Sequence, residues 1–373
     1  MFGAVTRRQE LMHITDFSGF WAGGRALVLG ADPYDPTTWT ATVARMGTQP
    51  PDTPVYGYPM WVALAFVPLA LFPLEVAGWL WTLTTFALAI VAVRALLRSY
   101  LPDLPLANGV AGLTITMSTP AYHTFVLGQW GFALVAASAG AILAFRRGLD
   151  RRGVICALAF LAKPQLFVAA AVGLLTTVRA AINWLVLVAF VLIASALVRP
   201  GWWVGWLAIV PERRFSLPAT IYSLLSEAAG PAGAFVAVLL AIAGVALAAR
   251  FRRGTDGARA VWLALSSAIA PYEWAYDHLL LLVPIIVAGG VIARGGSPSV
   301  ASRLVLVGSA ILLLISPLFY AIAISRHRET WSAVIPVVVF VLLVAGLWRD
   351  RDVAPSGDSR PLEQHPTSGL LAE

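Results

Sequence analysis

Long hydrophobic runs dominate this sequence and set what the chain can fold into. They fall near residues 75–97, 106–119, 125–145, 180–198, 231–249, 260–275, 277–293, 304–324 and 331–348. Hydrophobic residues make up 59% of the 373 residues and charged residues 12%, whereas soluble domains carry about 25% charged residues. A water-soluble globule cannot bury that much apolar surface, so the runs predict membrane-spanning helices.

We therefore expect an all-α polytopic membrane protein. The runs and the shorter apolar segments predict about 9 to 11 transmembrane helices, together with short re-entrant or juxtamembrane helices. Residues 1–348 are expected to form one integral membrane domain, because no polar stretch between the runs is long enough for a separate soluble domain. Residues 349–373 are rich in Pro, Ser, Asp and Arg, which predicts a disordered tail.

The basic residues predict the orientation of the helices. All but one of the 26 are Arg, and they cluster in alternate connections between the runs. By the positive-inside rule these connections are cytoplasmic, so the C-terminus is cytoplasmic and residues 1–57 form an outward loop region of a cell inner (plasma) membrane protein. The net charge of +7 then reflects topology rather than nucleic-acid binding.

Two short apolar segments do not fit simple crossings. Residues 153–177 are interrupted by Lys163 and Pro164, and the proline bends the chain. One kinked span and a hairpin of two half-helices are both compatible with this pattern, and the like-charged arginines on both flanks favour a hairpin that enters from the cytoplasm. Residues 60–72 are too short to span comfortably and predict a juxtamembrane helix on the outer face.

Asp16 is the first candidate for a chemical role. Hydrophobic residues after it recur at helical spacing, from Phe20 and Trp21 to Leu27, and predict an amphipathic helix lying on the bilayer surface. A carboxylate at the helix start would cap free backbone N–H groups. Alternatively, a carboxylate at the membrane face would act as a general base towards a substrate hydroxyl, and position alone favours neither.

Lys163 is the only lysine in the chain and lies within an apolar segment. Placing an ammonium group there costs roughly 2.5–3.5 kcal/mol on insertion scales. We therefore expect Lys163 either to snorkel to the nearest interface or to face protein, water or an anion. A lipid phosphate is the functional alternative, because a compact cation suits that group.

Two further groups of charged residues are candidates for the outer face. Glu273, Asp277 and His278 fall within one short turn between two runs, and form either a solvated loop or a partly buried polar cluster of the kind that favours function. Arg213 and Arg214 lie in the largest late outward loop, where they would either bind a phosphate or line the rim of the bilayer.

Four motifs occur in a defined order. They are Asp16 with the later stop at Gly30, Pro33 and Tyr34, followed by Tyr58-Pro59 and Pro68-Leu69-Ala70; Gly128-Gln129; Gly153 with Leu161-Ala162-Lys163-Pro164; and the nine residues from Ala270 to His278. Together they resemble glycosyltransferase family 87. The resemblance implies a membrane protein of the GT-C class that takes a sugar from a polyprenyl phosphate.

The resemblance also implies roles for individual residues. Asp16 would be the catalytic base and His278 a donor or phosphate contact. Lys163, Arg213 and Arg214 are further candidates for the donor phosphate. The substrate-contact candidates are Tyr34, Tyr58, Gln129, Glu273, Trp274 and Asp277.

The expected reaction moves a hexose, mannose by default, to a glycolipid or glycan acceptor on the periplasmic or extracellular face. Direct displacement predicts inversion at the anomeric carbon. No Asp-x-Asp pair precedes the C-terminal tail, which argues against a metal-dependent nucleotide-sugar reaction, and no cofactor is expected. A lipid or sugar transporter is the rival from another class and would need ionisable groups near mid-membrane; an inactive accessory scaffold is the third alternative.

Overall fold

The computed structural model describes residues 2–48, 54–209 and 218–348. Within these ranges the chain is helical and contains no β-strand, so the expected all-α class is confirmed. The predicted disordered tail, residues 349–373, lies outside the described residues.

Helices follow one another along nearly the whole described chain. The α-helices are α1 (Phe2–Leu11), α2 (Asp16–Val28), α3 (Pro36–Arg45), α4 (Met60–Ala70), α5 (Leu74–Tyr100), α6 (Pro105–Met117), α7 (Thr119–Leu127), α8 (Gly131–Arg146), α9 (Asp150–Ala157), α10 (Val168–Leu174), α11 (Val178–Val198), α12 (Trp202–Ile209), α13 (Ile221–Ala248), α14 (Asp256–Ala268), α15 (Leu282–Arg294), α16 (Pro298–Ala310), α17 (Ser316–Arg326) and α18 (Val334–Leu347). Short 3-10 helices span Leu158–Ala162, Pro164–Leu166, Ala275–Leu281 and Thr330–Ala333, and a π-helical turn, Ile311–Ile315, joins α16 to α17.

Fewer helices can cross a membrane than the hydrophobic runs predict. In the described residues six stretches are long and apolar enough: Leu74–Tyr100, Val178–Val198, Ile221–Ala248, Ala275–Arg294, Pro298–Arg326 and Thr330–Leu347. A seventh crossing results if the segments Pro105–Leu127 and Gly131–Arg146, which are bent by 115°, count as one span. The predicted count of 9 to 11 is therefore not confirmed.

Two local features explain the difference. Gly128 adopts a left-handed conformation with φ 65° and breaks the path between α7 and α8, so that two runs form a bent pair. The run near residues 260–275 contains α14, which has only 13 residues. Such a helix is about 20 Å long, less than the roughly 30 Å of hydrocarbon core that a span must cross.

The hairpin predicted around Lys163 is present. Helices α9 and α10 flank the break at Lys163 and Pro164, and Lys163 has non-helical backbone angles. The Thr177 hydroxyl donates a hydrogen bond of 2.9 Å to the Asp150 carboxylate. Because this bond joins the two ends of the segment, Lys163 lies at the hairpin tip, away from the arginine-rich connection that precedes Asp150.

Helix α2 is buried inside the protein. Phe17, Phe20 and Trp21 are all buried, and the helix packs along α4. Gly24 makes the close approach possible, because a Cβ atom there would lie 2.8 Å from the backbone carbonyl carbon of Phe66. The predicted helix is thus confirmed, but its predicted position on the bilayer surface is wrong, since its apolar residues face α4 and neighbouring aromatic rings.

Arg8 joins α1 to two other helices. Its buried guanidinium donates hydrogen bonds to the carbonyl oxygens of Gly78 at 2.7 Å, Phe125 at 2.9 Å and Val126 at 3.1 Å. Two aromatic rings lie against the guanidinium, Phe17 at 5.8 Å and Trp79 at 5.4 Å. The carbonyl groups of Phe125 and Val126 belong to the C-terminal end of α7, where the helix dipole favours a cation. Burial lowers the pKa of Arg8 to about 10, so the side chain stays charged at neutral pH.

We expect Arg8→Ala to lower the free energy of unfolding by about 2–3 kcal/mol, because buried carbonyl groups lose a charged donor. Thermal or denaturant unfolding of the detergent-solubilised protein measures the change. Arg7→Ala is the matched control, because Arg7 is exposed and pairs with Glu10 in the same helix at 3.1 Å, an arrangement that contributes little. Equal losses in the two variants would contradict the role of Arg8.

Candidate active site

A polar cluster lies where several elements end at the hairpin-tip side of the bundle. The start of α2 supplies Asp16, the hairpin tip supplies Lys163, the 3-10 helix Ala275–Leu281 supplies Asp277, and the connection after α17 supplies Glu329. We call these four side chains the acidic site. Asp277 contacts the Lys163 ammonium, Asp16 and Glu329 lie within electrostatic range of Asp277, and the four residues come from distant parts of the sequence.

Lys163 and Asp277 form a buried ion pair. The Lys163 ammonium donates to both carboxylate oxygens of Asp277, at 2.6 and 2.8 Å, and the two residues are 7% and 1% exposed. The Lys163 Nζ also lies 4.4 Å from the ring centre of Tyr276. Snorkelling, one of the two alternatives for this lysine, is therefore wrong. An ammonium group has three N–H donors, so one remains for a ligand after Asp277 is bound.

Asp16 is less buried than Lys163 and Asp277. Its side chain is partly exposed, and the Tyr58 hydroxyl donates to its Oδ1 at 3.2 Å. Thr15 is the N-cap of α2, so Asp16 belongs to the first turn, where the helix dipole favours a negative charge. Asp16 is close enough to interact electrostatically with Asp277 and Glu329, which puts the three carboxyl groups in the same region of the protein.

Glu329 completes the acidic site, and sequence reasoning missed it. Its Oε2 accepts a hydrogen bond of 2.9 Å from the Ala275 backbone N–H. Burial raises the pKa of the Glu329 carboxyl, and the charges of Asp277 and Asp16 raise it further, against the lowering effect of that hydrogen bond and of Lys163. The available signal was its position as the acidic residue of a short connection on the same predicted face as Asp16.

We expect Glu329→Gln to stabilise the protein at neutral and alkaline pH. A raised folded-state pKa means that the wild-type protein loses stability as pH rises above the usual value of 4.5. The glutamine variant lacks this loss and still offers an amide oxygen to Ala275. Melting temperatures measured across pH should therefore converge below pH 4.5 and separate above it, whereas the exposed-site control Glu10→Gln should show no such divergence.

Glu273 and His278 are buried behind the acidic site. Both side chains are 0% exposed, and the His278 Nε2 lies 3.9 Å from the Glu273 Oε1. Burial raises the pKa of the Glu273 carboxyl well above its usual range, and the charge of Asp277 adds to this effect. The solvated-loop interpretation of these residues is wrong, and the buried polar cluster is confirmed. The burial of His278 gives no support to direct contact with a donor phosphate, which stays a prediction.

The remaining substrate-contact candidates fall into two groups. Tyr34 and Gln129 are buried: the Tyr34 hydroxyl donates to the Tyr58 carbonyl oxygen at 2.5 Å, and the Gln129 Oε1 accepts from the next backbone N–H at 3.3 Å. Tyr34 therefore orients the residue that contacts Asp16. Trp274 is partly exposed, and its ring N–H donates to the Tyr272 hydroxyl at 2.8 Å.

Arg213 and Arg214 lie outside the described residues, so the contact of these two side chains with a phosphate remains a prediction from the sequence. Among the residues that the structure does describe, no group of three or more His, Cys, Asp or Glu side chains is arranged to hold a metal ion. Shortly after the two arginines, the Ala219 backbone N–H donates a hydrogen bond of 2.8 Å to the carbonyl oxygen of Glu273, which lies behind the acidic site.

The fold and the acidic site define a helical membrane protein with acid–base groups gathered at one end of its bundle. A family model identifies the class of enzyme. The model of glycosyltransferase family 87 matches residues 56–317, more than two thirds of the chain, and the chain belongs to that family. It is therefore a membrane glycosyltransferase, rather than a transporter without transferase chemistry. No curated protein and no solved structure matches it.

The family match covers part of the acidic site. Lys163 and Asp277 lie inside the matched residues, whereas Asp16 and Glu329 lie outside them. The case for a chemical role of Asp16 therefore rests on its geometry in this structure together with the motifs in its own segment.

Proposed function

We propose that the protein transfers a hexose, mannose by default, from a polyprenyl-phosphate donor to a hydroxyl group of a glycolipid or glycan acceptor. The observation that carries this proposal is the position of Asp16. Its carboxylate is partly exposed, accepts a hydrogen bond from the Tyr58 hydroxyl at 3.2 Å, and lies within electrostatic range of Asp277 in the buried Lys163–Asp277 pair. A base and a fixed cation are the two groups that this transfer requires.

In the proposed reaction Asp16 accepts the proton of the acceptor hydroxyl. The acceptor oxygen attacks the anomeric carbon and forms the new glycosidic bond, while the bond from that carbon to the phosphate oxygen breaks. The phosphate leaves with the bonding electron pair and stays attached to its polyprenyl chain. Attack from the face opposite the leaving group inverts the anomeric configuration, and neither a metal ion nor a cofactor takes part in any step.

Lys163 would stabilise the departing phosphate. Negative charge builds up on the phosphate oxygen as the bond breaks, and a donor that is already in place stabilises this charge without reorganisation. Asp277 fixes the Lys163 ammonium through two hydrogen bonds, which leaves the third donor for the phosphate. Arg213 and Arg214 are additional candidates for the same group.

Tyr272 and Trp274 would bind the sugar. Their side chains are partly exposed, their rings lie 5.9 Å apart at an angle of 87°, and aromatic rings provide an apolar surface with a polar edge. They adjoin Glu273 and the 3-10 helix that carries Asp277. A sugar bound on these rings would lie next to the acidic site.

The arrangement also supports an outward-facing site in a cell inner membrane. The acidic site lies at the hairpin tip, whereas Arg146 and Arg294 pair with Asp256 at the other ends of their helices. Because arginine-rich connections favour the cytoplasmic side, the acidic site would face the periplasmic or extracellular side.

A direct assay tests this function. Purified protein would be reconstituted in vesicles and supplied with a radiolabelled polyprenyl-phosphate hexose and a set of glycolipid acceptors. We expect a labelled glycolipid product whose formation survives a metal chelator and whose new linkage has the inverted configuration. If nucleotide sugars served as donors while every polyprenyl-phosphate hexose failed, the proposed donor would be wrong.

A further inference from the structure

An open groove separates α5 from α6 at the arginine-rich end of the bundle, away from the acidic site. Its volume is about 530 Å³, within the range of roughly 300–1,000 Å³ that is typical of ligand-binding cavities. One wall is formed by Ile90, Val93 and Leu97 of α5, and the other by Gly112 and Ile115 of α6. These positions repeat every three or four residues, so each helix turns one continuous face towards the groove.

Two glycines keep the groove open. A Cβ atom placed on Gly109 or Gly112 would find no other atom within 4 Å. By contrast, a Cβ on Gly289 or Gly290, which lie in the packed interior, would meet a neighbouring side chain at 2.5 Å. No described part of the chain therefore fills the space beside the α6 wall. The side chains of Ile90, Val93 and Leu97 give this space an apolar lining.

Arg94 and Arg98 lie along one side of the groove and give it a positive charge. Both side chains are exposed, and neither forms an ion pair with any residue that the structure describes. The neighbouring arginines differ, because Arg146, Arg259 and Arg294 all contact Asp256, at 3.6, 2.9 and 3.2 Å. The charge of Arg94 and Arg98 is thus available to a ligand.

We propose that this groove binds one anionic glycerophospholipid of the surrounding leaflet. An acyl chain would lie along the apolar faces between Ile90 and Ile115, and the phosphate would contact Arg94 and Arg98. Charge complementarity selects this occupant over a neutral lipid, because basic residues next to a helix pair attract anionic headgroups. The proposal does not depend on the sugar-transfer chemistry at the other end of the bundle.

The test compares bound lipids across matched variants. Wild-type protein, Arg94→Gln/Arg98→Gln and the control Arg151→Gln/Arg152→Gln would be reconstituted in vesicles of equal parts phosphatidylglycerol and phosphatidylcholine. Native mass spectrometry then counts the lipids that each protein retains. We expect wild type and control to retain phosphatidylglycerol preferentially, and each groove arginine to contribute about fivefold to that preference. Arg151 and Arg152 are exposed arginines near the same end but lie outside the groove.

A second variant tests the apolar part of the groove. Gly112→Leu fills the space beside Ile115 and favours helix formation, so we expect a folded protein that retains fewer lipid molecules of either kind. Unchanged phosphatidylglycerol retention in both groove variants would overturn the proposal. A change from dimer to monomer in Gly112→Leu would overturn it as well, because a second copy of the chain would then be the occupant of the groove.

Discussion

The Asp16→Asn variant is expected to lose nearly all sugar transfer, by about 10²–10⁴-fold, which is the range that a positioned general base contributes. Asparagine keeps the size and the hydrogen bond from the Tyr58 hydroxyl but cannot accept the proton of the acceptor hydroxyl. Because Asp16 is partly exposed, the substitution should leave folding intact. The measurement is the initial rate of labelled glycolipid formation at saturating donor.

Controls separate loss of the base from loss of structure. The Asp103→Asn variant changes an exposed aspartate in a connection at the arginine-rich end and should transfer at the wild-type rate. Asp16→Asn should also melt at the wild-type temperature and bind the donor as tightly as wild type. If Asp16→Asn retained more than a tenth of the wild-type rate, the base assignment would fail, whereas the membership of the family would stand.

The Lys163→Met variant is expected to lose about 3–5 kcal/mol of stability, because it leaves the Asp277 carboxylate buried without its partner. Both residues are almost fully buried, so water does not replace the lost interaction. Transfer should fall as well, since the phosphate loses its proposed cation. Unfolding in detergent measures the first effect and the glycolipid assay measures the second.

A double variant distinguishes these two effects. Lys163→Met/Asp277→Asn removes both charges and retains an amide oxygen for the Trp274 backbone N–H, which donates to Asp277 at 3.2 Å. We expect it to recover most of the stability and none of the transfer. The exposed pair Arg7 and Glu10 serves as a control in which neither single nor double substitution matters measurably. If the stability losses of the single variants Lys163→Met and Asp277→Asn added up to the loss of the double variant, the ion pair would not couple the two residues.

The sequence singles out several residues of the acidic site but does not predict which of these residues contact one another. Lys163 is conspicuous as a lone lysine in an apolar segment, and Asp277 as part of a charged turn between hydrophobic runs. Their contact joins positions 114 residues apart, and nothing in the hydropathy pattern specifies it. Glu329 does not stand out in the sequence for a related reason, because an acidic residue among arginines in a short connection resembles an ordinary solvated loop.

Hydrophobic periodicity predicts helices well but does not show how they turn. The lengths of the hydrophobic runs and the positions of the prolines predict the all-α class, the hairpin at Lys163 and the short helix α4. The bend at Gly128 and the early end of α14 at Ala268 depend on backbone geometry that a hydropathy window averages out. The sequence does not reveal the burial of α2, because an amphipathic pattern is the same whether the apolar face meets lipid or another helix.

The contacts of Arg8 also constrain the order of assembly during synthesis. Its acceptors lie 70, 117 and 118 residues further along the chain, so α1 leaves the ribosome well before either partner helix exists. Domains generally form as units while the chain emerges, and the hydrogen bonds of Arg8 can form only after α5 and α7 have been inserted. Helix α1 therefore docks through Arg8 only after the chain has been made at least as far as Val126.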